Sequence, residues 1–302
     1  MSITAFSEKD ITQKSPATIT GQLEKLRSRR LIIGDESLAR RTLETVNYYR
    51  LVHYLAVFLE ENGQYYSEGT RFEDGVRLYD FDRKLRAEVL SALEEIEIAA
   101  RAAVSNYHAV KYGALGYLNA DSFDRRHNHK VFLNKIEGII DKNSHLTFVR
   151  HHNVKYGGAF PLWVMSEMFS FGMLVVFFGD MKSHDKKDIA EYYFKQDSRY
   201  VENWLENLAA LRNRCAHYNR IYGNPLPGSL RTLPLSRPRE HAIGSTLFDY
   251  MLVVKLLHSR GDSWGKGFAA LMQALFYEYS SVADCEVLGF PPDWEDFFVG
   301  EV

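Results

Sequence analysis

The chain has 302 residues, of which 46% are hydrophobic and 25% are charged; this balance is typical of a folded globular protein and excludes a disordered one. A formal net charge of -2 excludes the strongly basic field of a protein that coats nucleic acid non-specifically, so any contact with RNA has to come from a local patch. The two cysteines, Cys215 and Cys285, stand far apart, which excludes a disulfide framework and a Cys-x-x-Cys zinc ribbon.

Neither a secretory signal nor a membrane span is expected. The first sixteen residues lack a basic stretch followed by an apolar one, which is the pattern of a signal peptide. The most apolar segment, residues 161–179, is interrupted by Ser166, Glu167 and Ser170, and its apolar part is far shorter than the ~20 residues that cross a bilayer. Together with the cysteine usage, this predicts a cytoplasmic protein.

Helical periodicity begins near the N-terminus. Residues 18–30 and 36–60 predict two helices separated by Gly34 and Asp35, and residues 65–72 predict a short extended piece or hairpin. The longest helix is predicted over residues 74–112, where apolar residues recur at helical spacing. These residues are Leu78, Leu85, Val89, Ala92, Ile96, Ala99 and Ala103.

Helical patterns continue to the C-terminal region. The predicted helices span residues 129–141, 144–155, 162–178, 185–194, 199–220, 244–259 and 263–279. Residues 223–238 contain four of the eight prolines, which predicts a loop, and Pro291 and Pro292 begin a tail. The sequence therefore predicts an all-α protein with an N-terminal helical extension over residues 1–70 and a helical domain over residues 71–302, together forming one compact unit.

A crowded polar cluster lies at the end of the predicted helix 199–220. On an ideal helix Asn213, His217 and Arg220 share one face, whereas Arg212 lies about 140° around the axis from His217. The opposite face carries an apolar stripe of Trp204, Leu208, Leu211, Cys215 and Tyr218, in which Cys215 is predicted to be a core residue.

The spacing of arginine and histidine in this cluster is not informative by itself. An arginine followed by a histidine after four to six residues occurs at Arg212…His217 and again at Arg101…His108, and about two such pairs are expected by chance in a chain of this composition. What sets Arg212 apart is the concentration of polar groups around it.

Arg212 and His217 suit chemistry on a phosphodiester. A guanidinium presents paired donors to phosphate oxygens, and an imidazole titrates near neutral pH and can accept or donate a proton. RNA carries its own nucleophile, the 2′-hydroxyl, so its cleavage requires neither a metal nor a cofactor. Acid and base are two roles and this helix offers one histidine, which predicts a symmetric homodimer. The alternative is an ordinary helix C-terminus, where basic residues interact favourably with the negative end of the helix dipole and Tyr218 packs inside.

The sequence Arg212-Asn213-Arg214-Cys215-Ala216-His217 resembles the Arg-Asn-x-Cys-Ala-His motif of bacterial abortive-infection proteins of the AbiD/AbiF type, which belong to the HEPN superfamily. Three other stretches resemble blocks of that family in the same order, and together the four blocks span about residues 15–222. They are Asn47-Tyr48-Tyr49-Arg50-Leu51, Leu78-Tyr79-Asp80-Phe81-Asp82 and Pro161-Leu162-Trp163-Val164-Met165.

The resemblance implies a HEPN-like helical bundle with additional C-terminal helices, and a role in phage defence or in a toxin–antitoxin pair. It also implies RNA cleavage at a dimer interface through Arg212, Asn213 and His217. Many relatives carry a second histidine where this chain has Tyr218, which leaves His217 as the candidate acid or base of the helix.

Further residues complete the predicted site. Arg214 and Arg220 near the motif, and Arg125 and Arg126 in a basic loop, are predicted to contact RNA, although a solvated loop is the alternative for the latter two. Glu97 and Arg101, at the spacing of an ion pair, are predicted either to support Arg212 from a second helix or to form an ordinary surface pair. The neighbouring His127 and His129 lack further ligands at useful spacing, so no metal site is expected.

The sequence thus predicts a metal-independent endoribonuclease without cofactors, with RNA as its substrate and a cognate antitoxin RNA or protein as a further partner. The alternative is a non-catalytic HEPN module that binds RNA or a cognate antitoxin.

Overall fold

A computed structural model describes residues 16–235 and 240–300. Over these residues the named secondary-structure elements are all helices apart from one two-stranded ribbon, Pro234–Leu235 paired with His241–Ala242, so the predicted all-α class is confirmed. Residues 1–15 of the segment on which the signal prediction was made lie outside the described residues, as do residues 236–239 of the proline-rich loop. None of the helices in the described part combines the length and apolar character that a bilayer crossing requires.

Thirteen α-helices are present in the described ranges. They are α1 (Ile19–Ser28), α2 (Glu36–Thr45), α3 (Tyr48–Leu55), α4 (Phe72–Tyr112), α5 (His129–Lys142), α6 (Thr147–Lys155), α7 (Leu162–Met165), α8 (Phe171–Asp180), α9 (Ser183–Ile189), α10 (Ser198–Ala216), α11 (Leu247–Leu257), α12 (Gly261–Tyr279) and α13 (Trp294–Val299). Short 3₁₀ turns occur at Ala56–Phe58, Gly116–Leu118, Ala120–Ser122, Ser166–Met168 and Cys285–Leu288, and a π turn, Ala190–Phe194, follows α9.

The chain divides into two compact units within α4, between Phe81 and Asp82. The first contains the described residues up to Phe81 together with Ser281–Ala283, and therefore includes residues 16–70 of the predicted extension. Its core is formed by α1, α2, α3 and the start of α4, through residues such as Leu23, Leu26, Leu43, Leu51, Leu55 and Phe72.

Within this unit the single helix predicted over residues 36–60 is wrong, because the chain breaks between α2 and α3. The side chain of Asn47 accepts a hydrogen bond from the Tyr49 backbone amide at 2.8 Å and so caps α3. The extended piece predicted at residues 65–72 is confirmed by two backbone bridges, Leu59 with Tyr66 and Ile32 with Arg71.

The second unit is built around α10, which packs against α8 and α11, while α12 packs against α11 and α13. Trp204, Leu208 and Leu211 of α10 are fully buried, as the predicted apolar stripe requires. The stripe of α4 is confirmed except at Ala99, which is exposed while Ala100 is buried.

Two predictions elsewhere in the second unit, outside α4 and α10, are wrong. The helix expected over residues 162–178 is interrupted between Met168 and Phe171, where the Ser170 hydroxyl accepts from the Met173 amide at 3.2 Å and starts α8. The tail expected after Pro292 instead forms α13.

Candidate functional site

The motif helix α10 ends at Ala216, with His217 as its C-cap. Tyr218 adopts a left-handed backbone with φ of 60°. Its amide bonds to the Cys215 carbonyl at 3.0 Å, and the Asn219 amide bonds to the Arg214 carbonyl at 3.1 Å. This pair of bonds is a Schellman motif, which closes a helix. The helix predicted to reach Arg220 is therefore too long, and Arg220 does not share a helical face with His217.

Arg214 holds the chain that follows this helix end. Its guanidinium donates two hydrogen bonds to the Arg220 carbonyl, at 2.9 and 3.2 Å, and one to the Pro225 carbonyl. Charge-assisted bonds of this kind are among the stronger ones in proteins. The structure thus gives Arg214 a structural task, and RNA contact by Arg214 and Arg220 stays a prediction.

Asp82 of α4 also holds the segment that follows α10. It is fully buried, accepts hydrogen bonds from the Ile221 and Tyr222 amides at 3.0 and 2.8 Å, and forms an ion pair with Arg86. Sequence reasoning missed this anchor. Its signal was present, because Asp82 stands four residues after Leu78 and three before Leu85, on the buried stripe of α4, where a lone carboxylate needs partners.

Arg212 is joined to α4 through a shared carboxylate. Its Nε lies 3.4 Å from Glu97 Oε2, and Arg101 Nη2 lies 2.8 Å from Glu97 Oε1. Arg101 also donates to the Ser166 carbonyl. The Glu97 side chain is 15% exposed and that of Arg212 is 39% exposed, so a largely buried carboxylate fixes one end of a partly exposed guanidinium. The residues predicted to support Arg212 are therefore brought together with it.

Arg212 and Asn213 face different clefts. Arg212 lines a cleft of about 720 Å³ that also contains Glu94, Glu97, Arg101 and Glu167. Asn213 lines a cleft of about 600 Å³ between α8 and α10, which also contains Arg126 from the predicted basic loop. His217 lines neither cleft and is exposed at the helix end. One protomer does not gather the three predicted catalytic groups in one cleft.

Tyr218 and Cys215, on either side of His217 in the sequence, differ in burial. Tyr218, placed on the apolar stripe of the helix and packed inside by the alternative interpretation, is 68% exposed, so both predictions are wrong at this residue. Cys215 is buried as predicted, and burial raises the pKa of its thiol to about 12. The thiolate, which is the nucleophilic form, is therefore disfavoured.

The second Arg/His pair of the sequence belongs to the core. His108 is fully buried, with the rings of Tyr112, Phe123 and Phe177 at centroid distances of 4.9, 5.6 and 5.2 Å. Neither of its ring nitrogens has a hydrogen-bond partner among the described residues. Burial, opposed in part by the charge of Asp185, lowers the pKa of His108 to about 4.

In the basic loop Arg125 is exposed. The two histidines that follow it, His127 and His129, form hydrogen bonds to their neighbours. His127 Nδ1 lies 2.8 Å from an Asp180 carboxylate oxygen, and His127 Nε2 lies 3.2 Å from His129 Nδ1. His129 Nε2 donates to the Leu118 carbonyl at 2.9 Å. Within the described ranges, no group of three or more His, Cys, Asp or Glu side chains is arranged to hold a metal ion.

The protein is thus of the all-α class and carries a polar motif at the end of α10. Sequence comparison identifies its family. The model of the Abi-like protein family matches residues 41–223, more than half of the chain, and the match includes all of α4 and α10. The chain belongs to the Abi-like protein family, which points to abortive infection, a defence against phage. Comparisons with curated proteins and with solved structures found no match. The resemblance to abortive-infection proteins is confirmed at the level of this family.

Proposed function

We propose that this chain is a metal-independent endoribonuclease of the HEPN type, acting in phage defence or as the toxin of a toxin–antitoxin pair. Arg212, Asn213 and His217 are its catalytic residues. The observation that carries the proposal is that the Arg212 guanidinium is anchored by Glu97 while the His217 imidazole is exposed at the end of the same helix. Both residues lie inside the segment that matches the Abi-like family.

The chemistry follows from these two groups. The Glu97 carboxylate approaches Arg212 through Nε, so the terminal nitrogens are those that meet phosphate oxygens and stabilise the charge of the transition state. His217 removes the proton of the 2′-hydroxyl, the O2′–P bond forms, and the P–O5′ bond breaks. A second acid protonates the leaving 5′-oxygen. The products are a 2′,3′-cyclic phosphate and a 5′-hydroxyl end.

The second acid comes from a second copy of the chain. Arg212 and Asn213 line separate clefts, and α10 ends in one exposed histidine. A twofold axis beside this helix end brings two His217 side chains to one phosphodiester, one as base and the other as acid. The active enzyme is therefore a homodimer, and a cognate antitoxin RNA or protein keeps it inactive until infection.

The test is cleavage of RNA by purified full-length protein and its His217→Ala variant. We expect the variant to keep its circular dichroism spectrum and dimer mass but to lose cleavage, and the wild-type products to end in cyclic phosphate. His145→Ala, which removes an exposed histidine from another helix connection, is the matched control and should cleave normally. Equal cleavage by wild type and His217→Ala refutes the assignment.

Mixed dimers test the two-histidine arrangement. Wild-type and His217→Ala subunits are mixed and allowed to exchange partners. If both copies of His217 serve each phosphodiester, the activity should fall with the square of the wild-type fraction. A linear decrease shows that each subunit acts alone and refutes the shared site.

The defence role is tested in a bacterial host. Wild-type protein should arrest growth and produce cyclic phosphate ends in cellular RNA, whereas Arg212→Ala should do neither. Arg199→Ala, at the exposed start of the same helix, is the control and should arrest growth like the wild type. Growth arrest by Arg212→Ala contradicts the role given to that guanidinium.

The alternative is a non-catalytic HEPN module that binds RNA or a cognate antitoxin, and one observation favours its protein-binding form. The cleft of Arg212 carries the carboxylates of Glu94, Glu97 and Glu167, and carboxylates repel phosphate while attracting a basic protein segment. Under this alternative, RNA or the partner is retained and no cut ends are produced.

A further inference from the structure

A third cavity, separate from the clefts of Arg212 and Asn213, lies in the second unit between the loop after α4, the end of α6 and the start of α7. Its volume is about 510 Å³, and its walls include Leu115, His151, His152, Tyr156, Pro161 and Trp163. Trp163 and Tyr156 are each 49% exposed. A concave site lined mainly by apolar and aromatic side chains is the usual form of a small-ligand pocket.

The walls of this cavity are fixed by contacts around them. His152 Nδ1 lies 3.0 Å from the Ala159 carbonyl, and the His152 ring stacks on Phe160 at 5.2 Å with an angle of 27°. The Leu162 amide donates to the Ala114 carbonyl at 2.9 Å and joins α7 to the loop after α4. The His152 ring and the backbone at the start of α7 are thus held in place before any ligand binds, which lowers the entropic cost of binding.

The charged residues in the segment that forms the cavity walls indicate which class of ligand it binds. Between Asp141 and Glu167 the sequence has no acidic residue, but it has three lysines or arginines and three histidines. The Lys155 ammonium lies 5.2 Å from the centroid of the Tyr156 ring at the cavity wall. Exposed aromatic rings beside a cation, in walls without an acidic side chain, are the combination that binds single-stranded nucleic acid, since bases stack on the rings while the cation meets a phosphate.

We propose that this cavity holds one unpaired base of an RNA strand, stacked on Trp163, with the adjoining phosphate near Lys155. The proposal takes RNA as the substrate class from the proposed function and adds a second contact point for it. The turn after α7 also connects the cavity to the motif, because the Ser166 carbonyl accepts a hydrogen bond from Arg101, which shares Glu97 with Arg212. A base bound here holds the strand against the framework that positions Arg212.

The test is binding of a fluorescent 2′-O-methyl RNA decamer, which cannot be cleaved because its 2′-oxygen carries no proton. With full-length protein, Trp163→Ala should weaken binding by about tenfold, since one base–aromatic stack is lost. Trp163→Phe should keep most of the affinity. Lys155→Ala should lower the slope of log affinity against log salt by about one. Tyr277→Ala, which removes an exposed aromatic ring of α12, is the control and should bind normally.

Three outcomes overturn the proposal. Unchanged affinity in a folded Trp163→Ala variant refutes the stacking site. Equal loss in Trp163→Phe shows that the effect is not stacking. Displacement of the decamer by adenosine monophosphate at matching concentration identifies a mononucleotide site instead of a strand site. Because binding is measured without cleavage, these results are separate from those of His217→Ala. The cavity proposal can be refuted while the nuclease proposal holds, and the nuclease proposal can be refuted while the cavity proposal holds.

Discussion

The two Arg/His pairs, Arg101…His108 and Arg212…His217, have comparable spacing and opposite environments. His108 lies four residues before the end of the 41-residue helix α4, fully buried among aromatic rings, and burial lowers its pKa to about 4. His217 caps the end of α10 and is exposed. Both arginines, in contrast, contact the same carboxylate, Glu97.

The comparison shows that sequence spacing does not define a catalytic pair. A buried imidazole without hydrogen-bond partners is held neutral and cannot exchange protons with a substrate. The imidazole of His217, at the end of α10, is exposed to solvent. The same residue type therefore packs the core in one helix and is available for chemistry in the other, and the following predictions test that division.

The largest expected effect is on cleavage. His217→Ala should lower the rate of RNA cleavage by about 10²–10⁴-fold, which is the range of general acid–base catalysis, while changing the urea midpoint little because the side chain is exposed. His108→Leu should do the reverse, altering the urea midpoint but leaving cleavage by the folded protein unchanged. Loss of cleavage in a fully folded His108→Leu variant contradicts the assignment of that residue to the core.

The next effect is on stability and depends on pH. The folded pKa of His108, about 4, lies below its ordinary value of 6.5, so the unfolded chain binds the proton first as pH falls. The contribution of His108 is complete above pH 6.5 and is lost progressively toward pH 4. Between pH 7 and pH 5 the free energy of unfolding should fall by about 2 kcal/mol on this account.

Urea unfolding at the two pH values measures this loss. His108→Leu removes the titrating group, so its stability should depend on pH less than that of the wild type by that amount. Parallel pH dependence in the two proteins shows that His108 is not held neutral by the fold.

Local sequence patterns predicted most helices, because the apolar stripes of α4 and α10 are long and regular. They missed the breaks before α3 and α8, where Asn47 and Ser170 cap a new helix inside a continuous apolar pattern. Capping side chains within a periodic stretch were the available signal. They also missed α13, where Glu295 and Asp296 in the first turn favour a helix start after the two prolines.

The motif residues of the site were predictable and their surroundings were only partly so. Arg212 and His217 follow from the motif, and Glu97 was proposed as support from its spacing to Arg101. The anchoring of Ile221 by Asp82, 139 residues earlier in the chain, depends on tertiary packing that local periodicity does not contain. The end of α10 at His217 was missed because Tyr218 is an unusual residue for a left-handed position.

A smaller effect is expected at Glu97, which we assign as a positioning residue for Arg212. Glu97→Gln should lower the cleavage rate at saturating RNA by roughly tenfold, since the guanidinium loses its fixed orientation. The affinity for RNA should not fall, because a negative charge is removed from the cleft. Glu95→Gln, on the same helix and paired with His258, is the control and should leave the rate unchanged. A faster Glu97→Gln variant means that Glu97 restrains Arg212 instead of positioning it.

The smallest effect concerns the backbone that places His217 at the helix end. Tyr218 has a φ of 60°, a conformation that glycine adopts without the steric cost paid by a residue with a Cβ. Tyr218→Gly should therefore be about 1 kcal/mol more stable than Tyr218→Ala in urea unfolding. At Glu206, exposed inside α10, the order should reverse, with Glu206→Ala more stable than Glu206→Gly by a similar amount. If alanine is also the better residue at position 218, the helix continues past His217, and the imidazole lies on a helical face with Asn213 as the bare sequence pattern predicted.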